Sequence, residues 1–78
     1  MLFGMGEDFT KRVAAEVRAE LARQKVSQEA LCARIGMSQS TLSRRITGEY
    51  PFDTTELAKI AEALGVSVAQ FLPNGVAA

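Results

Sequence analysis

The segment Gln28-Glu29-Ala30-Leu31-Cys32-Ala33-Arg34-Ile35-Gly36-Met37-Ser38-Gln39-Ser40-Thr41-Leu42-Ser43-Arg44-Arg45-Ile46-Thr47 carries two short helical patterns separated by three residues. Ser27 suits the N-cap of the first, because its hydroxyl can accept from a backbone N–H that has no helical partner. Apolar residues then recur at Leu31, Cys32 and Ile35, and Gly36 supplies the left-handed backbone that ends a helix sharply. Ser38 can cap the second helix, Leu42 and Ile46 lie four residues apart on one face, and Gly48 stands where a C-terminal glycine is expected. The spacer from Gly36 to Ser38 has the turn length of a helix-turn-helix, the unit that lays its second helix in the DNA major groove.

Two short helices around a glycine turn also occur in all-α domains that never meet DNA. The second helix shifts the balance. Its first turn offers Gln39, Ser40 and Thr41, and Ser43 and Arg44 follow on the side away from Leu42 and Ile46. These side chains match base edges: Gln pairs with adenine N6 and N7, Arg with guanine O6 and N7, and Ser or Thr with several bases, while a Thr methyl meets a thymine methyl. A helix that is merely solvated more often carries Glu and Lys at such places.

Upstream, the spacing of Phe9, Val13, Val17 and Leu21 predicts a core-facing helix from near Asp8 to about Gln24. Lys25 stands where a glycine would relieve a left-handed turn, a strain of about 1 kcal/mol. Val26 can tuck inward as a staple before the Ser27 cap. Downstream, Glu49-Tyr50-Pro51-Phe52 reads as a loop anchored by its two aromatics, and Asp53-Thr54-Thr55-Glu56 has the form of a capping box. Leu57, Ile60, Ala61 and Leu64 then mark a core helix that Gly65 ends. Ser67 and Gln70 suggest a weaker box on a short helix burying Val68, Phe71 and Leu72 before Pro73. Residues 7–73 therefore read as one domain, with flexible ends at 1–6 and 74–78.

With 78 residues, 47% hydrophobic and 23% charged, the composition is that of a small globular domain. One cysteine and no histidine leave no intrachain disulfide and no usual zinc ligand set, so neither metal nor cofactor is expected. Catalytic residues are not expected either, since no nucleophile and base stand at recognisable spacing. The apolar start Met1-Leu2-Phe3 lacks a basic leader, and no run reaches the ~20 residues of a membrane span. A cytoplasmic protein with no membrane contact is the expectation. Net charge is zero, which alone argues against a nucleic-acid partner. The distribution argues the other way: Phe9 to Gly48 holds eight basic and three acidic residues, net +5, whereas everything from Glu49 onward is net −3.

The combination of Ser27-Gln-Glu-Ala-Leu31, Ile35-Gly-Met-Ser-Gln-Ser-Thr-Leu-Ser-Arg44, Gly48 and Leu57-Ala-Lys-Ile-Ala-Glu-Ala-Leu-Gly-Val-Ser-Val-Ala-Gln-Phe-Leu72 resembles the lambda-repressor and Cro class of helix-turn-helix proteins, the xenobiotic-response-element family. The likeness covers about Phe9 to Leu72 and extends, more loosely, to small regulators of phages and bacteria. It implies an all-α, compact five-helix bundle whose helices 2 and 3 form the motif. By that resemblance Gln39, Ser40, Thr41, Ser43 and Arg44 read bases, and Gln28 touches a phosphate. Ser27, Ser38, Arg45, Thr47 and Tyr50 are expected on the DNA backbone beside it. Three positions depart from the family pattern: Arg45 where relatives are often apolar, Cys32 in place of the usual alanine, and an acidic rather than basic loop after Gly48. Arg45 is accordingly expected to turn toward the DNA backbone while Ile46 takes the packing. Cys32 is expected to behave as a small hydrophobe.

The expected function is a sequence-specific DNA-binding transcriptional regulator, a repressor, whose expected partners are double-stranded DNA and a second copy of itself, in a homodimer formed on DNA. The alternative is a protein-interaction module, antitoxin-like or an integrase partner, using Met1-Leu2-Phe3 and the Phe71-Leu72 tail. Salt separates the two: phosphate contacts weaken steeply as salt rises, and apolar contacts do not.

Overall fold

The computed structural model describes residues 5–73. Helix α1 spans Met5–Gln24, α2 Gln28–Ile35, α3 Gln39–Ile46 and α4 Thr54–Leu64, and Val68–Phe71 forms a 3-10 turn. No strand occurs among the described residues. The all-α class is as expected, but the fifth helix is not an α-helix. Between the Ser67 cap and Pro73 there is room only for i→i−3 closures, from Gln70 N to the Ser67 carbonyl at 3.0 Å and from Leu72 N to the Ala69 carbonyl at 3.1 Å. The described residues therefore hold four α-helices and one tight turn. Helix α1 also begins at Met5, three residues before the expected start. Of the ends expected to be flexible, residues 1–4 and 74–78 lie outside the described residues.

Each boundary has a local cause. Ser27, Ser38 and Asp53 sit in extended backbone, and their side chains accept from Ala30 N, Thr41 N and Glu56 N respectively. The capping box at α4 is complete: Glu56 N donates to Asp53 at 2.7 Å, and Asp53 N donates to Glu56 Oε1 at 3.0 Å. Gly36 and Gly65 end α2 and α4 at φ 70° each. Lys25 does the same for α1 at φ 58°, the single non-glycine with positive φ among the described residues. It closes a pair of bonds, Lys25 N to the Ala22 carbonyl and Val26 N to the Leu21 carbonyl, that the left-handed residue makes possible.

The core is built from Val13, Val17 and Leu21 of α1, Leu31, Cys32 and Ile35 of α2, Leu42 and Ile46 of α3, Leu57, Ile60 and Leu64 of α4, and Phe71. Phe9, expected at the head of the α1 stripe, is instead 37% exposed, and Ala14 is fully buried beside the stripe. Of the three residues expected to be buried here, Phe71 is fully buried and Leu72 is partly buried against the core, while Val68 stays 39% exposed, because a four-residue turn carries one anchor of its own inward. That one anchor is valuable, since truncating a buried Phe costs about 3–5 kcal/mol. In the loop before α4, Phe52 packs on the core and Tyr50 does not.

Behind the core, Glu20 gathers three neighbours. Its Oε1 accepts from Arg23 at 2.7 Å and from Gln70, and its Oε2 accepts from Gln24 at 2.7 Å. Gln24 also donates to the Leu64 carbonyl at 2.8 Å. Gln70 thus joins the 3-10 turn to α1 instead of completing a box with Ser67. No helix among the described residues is long and apolar enough to cross a membrane.

Candidate nucleic-acid interface

Helix α3 is amphipathic by simple spacing. Leu42 and Ile46 point inward and are buried, so the remaining positions divide between solvent and the neighbouring helix. Gln39, Ser40, Ser43, Arg44 and Thr47 are exposed. At 3.6 residues per turn these positions form one outward strip, one turn above the next. Thr41 and Arg45 lie at the flank and are half-buried. The strip thus brings together four of the five residues expected to read bases, with Thr41 at its edge.

The N-terminal end of the strip is held by hydroxyls. Ser38 Oγ accepts from Thr41 N at 3.2 Å and lies 2.9 Å from Thr41 Oγ1, to which it donates. Ser40 Oγ stands 3.4 Å from Ser38 Oγ. Thr41 therefore has its hydroxyl engaged within the turn. On α2, Ser27 accepts from Ala30 N at 3.0 Å, and Gln28 opens the helix as an exposed residue. Ser27, Gln28 and Ser38 all sit at helix N-termini, where free N–H groups and the helix dipole favour an anion.

The C-terminal end is held from three sides. Thr47 Oγ1 donates to the Arg44 carbonyl at 3.1 Å, and Glu49 N and Tyr50 N donate to the same carbonyl at 3.0 and 3.2 Å. Gly48, at φ 86°, lets the chain reverse close to α1: a Cβ there would stand 3.1 Å from Lys11 Cγ. From α1, Arg18 Nη1 donates to the Ile46 carbonyl at 2.6 Å, placing a cation at the negative end of the α3 dipole. Lys11 and Arg18 are seven residues apart, two turns along α1, and neither was singled out by sequence reasoning. Their spacing was the available signal; which helix end they would meet was not.

Arg45, expected to turn toward the DNA backbone, faces α4 in the free chain. Its Nε lies 3.2 Å from Glu56 Oε1 and its Nη2 3.2 Å from Oε2, a two-point clasp with the side chains 24% and 16% exposed. The Glu56 hydrogen bonds favour the charged guanidinium still further, against the opposing effect of burial. Tyr50, also expected on the backbone, is 47% exposed, and Arg44 Cζ lies over its ring at 5.8 Å from the centroid. Cys32 is 6% exposed in the core, and burial pushes its thiol up from the ordinary value, away from the reactive thiolate. Of the residues named for the protein-interaction alternative, Phe71 is fully buried and Leu72 packs against the core, while Met1-Leu2-Phe3 lies outside the described residues.

Among solved structures, the DNA-binding domain of BldD superposes with a TM-score of 0.77 at 22% identity, covering 88% of this chain and 100% of that one. A hypothetical transcription factor from Neisseria, NHTF, superposes with a TM-score of 0.74 at 26% identity, covering 86% of this chain and 78% of that one. No curated protein matches the chain. The helix-turn-helix family model matches residues 17–71, which takes in the C-terminal part of α1 from Val17 onward, both helices of the motif, α4 and the 3-10 turn. The chain, whose α2 and α3 are the two helices of the motif, belongs to the helix-turn-helix family, in its lambda-repressor and Cro-like branch.

Proposed function

We propose that this chain is a sequence-specific DNA-binding transcriptional regulator, acting as a repressor, that lays α3 in the major groove. The observation that carries the reading is the outward strip of α3: Gln39, Ser40, Ser43 and Arg44 are all exposed, on a helix capped by Ser38 at its start and held from α1 by Arg18 at its end. Gln39 and Arg44 supply bidentate groups for adenine and guanine, Ser40 and Ser43 supply hydroxyls, and Thr41, its hydroxyl engaged with Ser38, offers a methyl to thymine. Ser27, Gln28, Ser38 and Thr47 register the domain on phosphates, with Lys11 adding a cation at the far edge of α3. We assign Arg45 to the clasp with Glu56 rather than to phosphate. Repression requires only that the domain occupy a site overlapping a promoter. A pair of copies related by two-fold symmetry, assembled on the site, would read a palindrome.

Selection of bound sequences from a random double-stranded DNA library tests the reading. The expected result is a palindromic consensus with half-site centres about one helical turn, or a multiple of it, apart, and binding that weakens steeply with salt. Arg44→Ala should cost about 1–3 kcal/mol on the best site and relax one base position per half-site. Gln39→Ala and Ser40→Ala should each relax others. Absence of any consensus, with salt-insensitive capture of protein instead, would overturn the reading in favour of a protein-interaction module.

A further inference from the structure

Tyr50 is an exposed aromatic whose place is over-determined by its backbone. Gly48 reverses the chain at a positive φ that side chains rarely adopt, Glu49 N and Tyr50 N both close on the Arg44 carbonyl, and Thr47 Oγ1 closes on it too. Pro51 follows immediately and restricts Tyr50 to extended backbone. These constraints return the chain to residue 44 itself rather than to a point elsewhere on α3. The ring then lies beneath the guanidinium of Arg44, 5.8 Å from centroid to Cζ. An exposed Arg otherwise samples many rotamers, and ordering it on a base edge is costly. An aromatic ring beneath the guanidinium narrows that set, and no side-chain hydrogen bond among the described residues engages the Arg44 N–H groups, so they stay available to a base.

We propose that Tyr50 is a positioning residue for Arg44, holding the guanidinium over its ring so that the N–H groups are presented to a base, and that it therefore sets specificity at the base position Arg44 reads. This rests on the reading of α3 as the helix that enters the major groove. It differs from a phosphate contact in what the side chain supplies: the ring acts, and the hydroxyl is dispensable.

The test uses the full chain and the double-stranded site recovered by selection, with Tyr50→Phe, Tyr50→Ala, Arg44→Ala and the Tyr50→Ala/Arg44→Ala double variant, each checked for an unchanged helical signal and thermal transition. Tyr50→Phe should bind within about twofold of the parent. Tyr50→Ala should lose about three- to tenfold on the best site, relax the same base position as Arg44→Ala, and leave affinity for random-sequence DNA unchanged. The double variant should bind no worse than Arg44→Ala alone, since the ring acts through the guanidinium. In the free protein the Arg44 side-chain protons should show an upfield ring-current shift in the NMR spectrum, kept in Tyr50→Phe and lost in Tyr50→Ala. Equal losses for Phe and Ala would overturn the proposal and assign the hydroxyl to phosphate, and additive losses in the double variant would overturn it too. If Arg44→Ala relaxes the consensus and Tyr50→Ala does not, this proposal alone fails. If the parent shows no sequence preference, the reading of α3 fails and takes this proposal with it.

Discussion

Lys25 occupies a backbone conformation that L side chains avoid, and the reason lies in its neighbours. The chain needs a left-handed residue between Gln24 and the Ser27 cap so that Lys25 N and Val26 N can close on the Ala22 and Leu21 carbonyls. No glycine is available there, so lysine takes φ 58°. This was legible in the sequence, because a helix end followed three residues later by a cap, with Val26 turned inward between them, leaves a single position for the turn. Lys25→Gly should relieve the clash of Cβ with the carbonyl and, after the entropy glycine adds to the unfolded chain, raise stability by about 0.5–1 kcal/mol. Equilibrium denaturation measures it. A loss of stability would mean that the lysine side chain contributes more than its backbone strain removes.

At the scale of elements, the helices of the motif are short, eight residues each, and an isolated helix of that length is marginal in water. Their ends must therefore be held by the rest of the domain. Arg18 holds the last carbonyl of α3, that of Ile46, from α1, and Arg45 holds its flank to the first turn of α4 through Glu56. Glu56 Oε1 accepts from both Arg45 Nε and Asp53 N, so the clasp and the capping box share one carboxylate. Arg45→Ala should lower stability by about 1 kcal/mol, the size of a well-formed but partly solvated bidentate pair, and should leave the slope of log K against log salt unchanged. A slope shallower by about one would return Arg45 to the DNA backbone. The bounds of α2, α3 and α4 could be read beforehand because Ser27, Gly36, Ser38, Asp53 and Gly65 act within three or four residues. The partners of Arg18 and Arg45, 28 and 11 residues away, could not, because they depend on which helix ends meet when the helices pack. The outward strip of α3 belongs to the first kind and the bracing of its ends to the second.

Taken as one molecule, the chain joins a basic half to an acidic one, and its interior joins them through side chains that are polar as well as apolar. Glu20 is 5% exposed, yet Arg23, Gln24 and Gln70 donate to its two oxygens, and Gln24 carries the connection on to the end of α4. One carboxylate thus ties α1 to the 3-10 turn and orients the Gln24 amide that reaches the end of α4. The hydrogen bond from Gln24, then that from Arg23, hold its carboxyl below the ordinary value of 4.5, against the opposing effect of burial. A carboxyl whose folded pKa is depressed contributes stability above its unfolded pKa and loses it as pH falls through the folded one. The thermal midpoint should therefore hold level from about pH 7 to about pH 5.5 in respect of this group, and fall as the pH drops below about 4.5. Glu20→Gln keeps the shape and removes the charge, so it should melt earlier at neutral pH and fall less steeply in acid. An equally steep fall in that variant would move the acid lability away from Glu20 to another carboxylate of the domain.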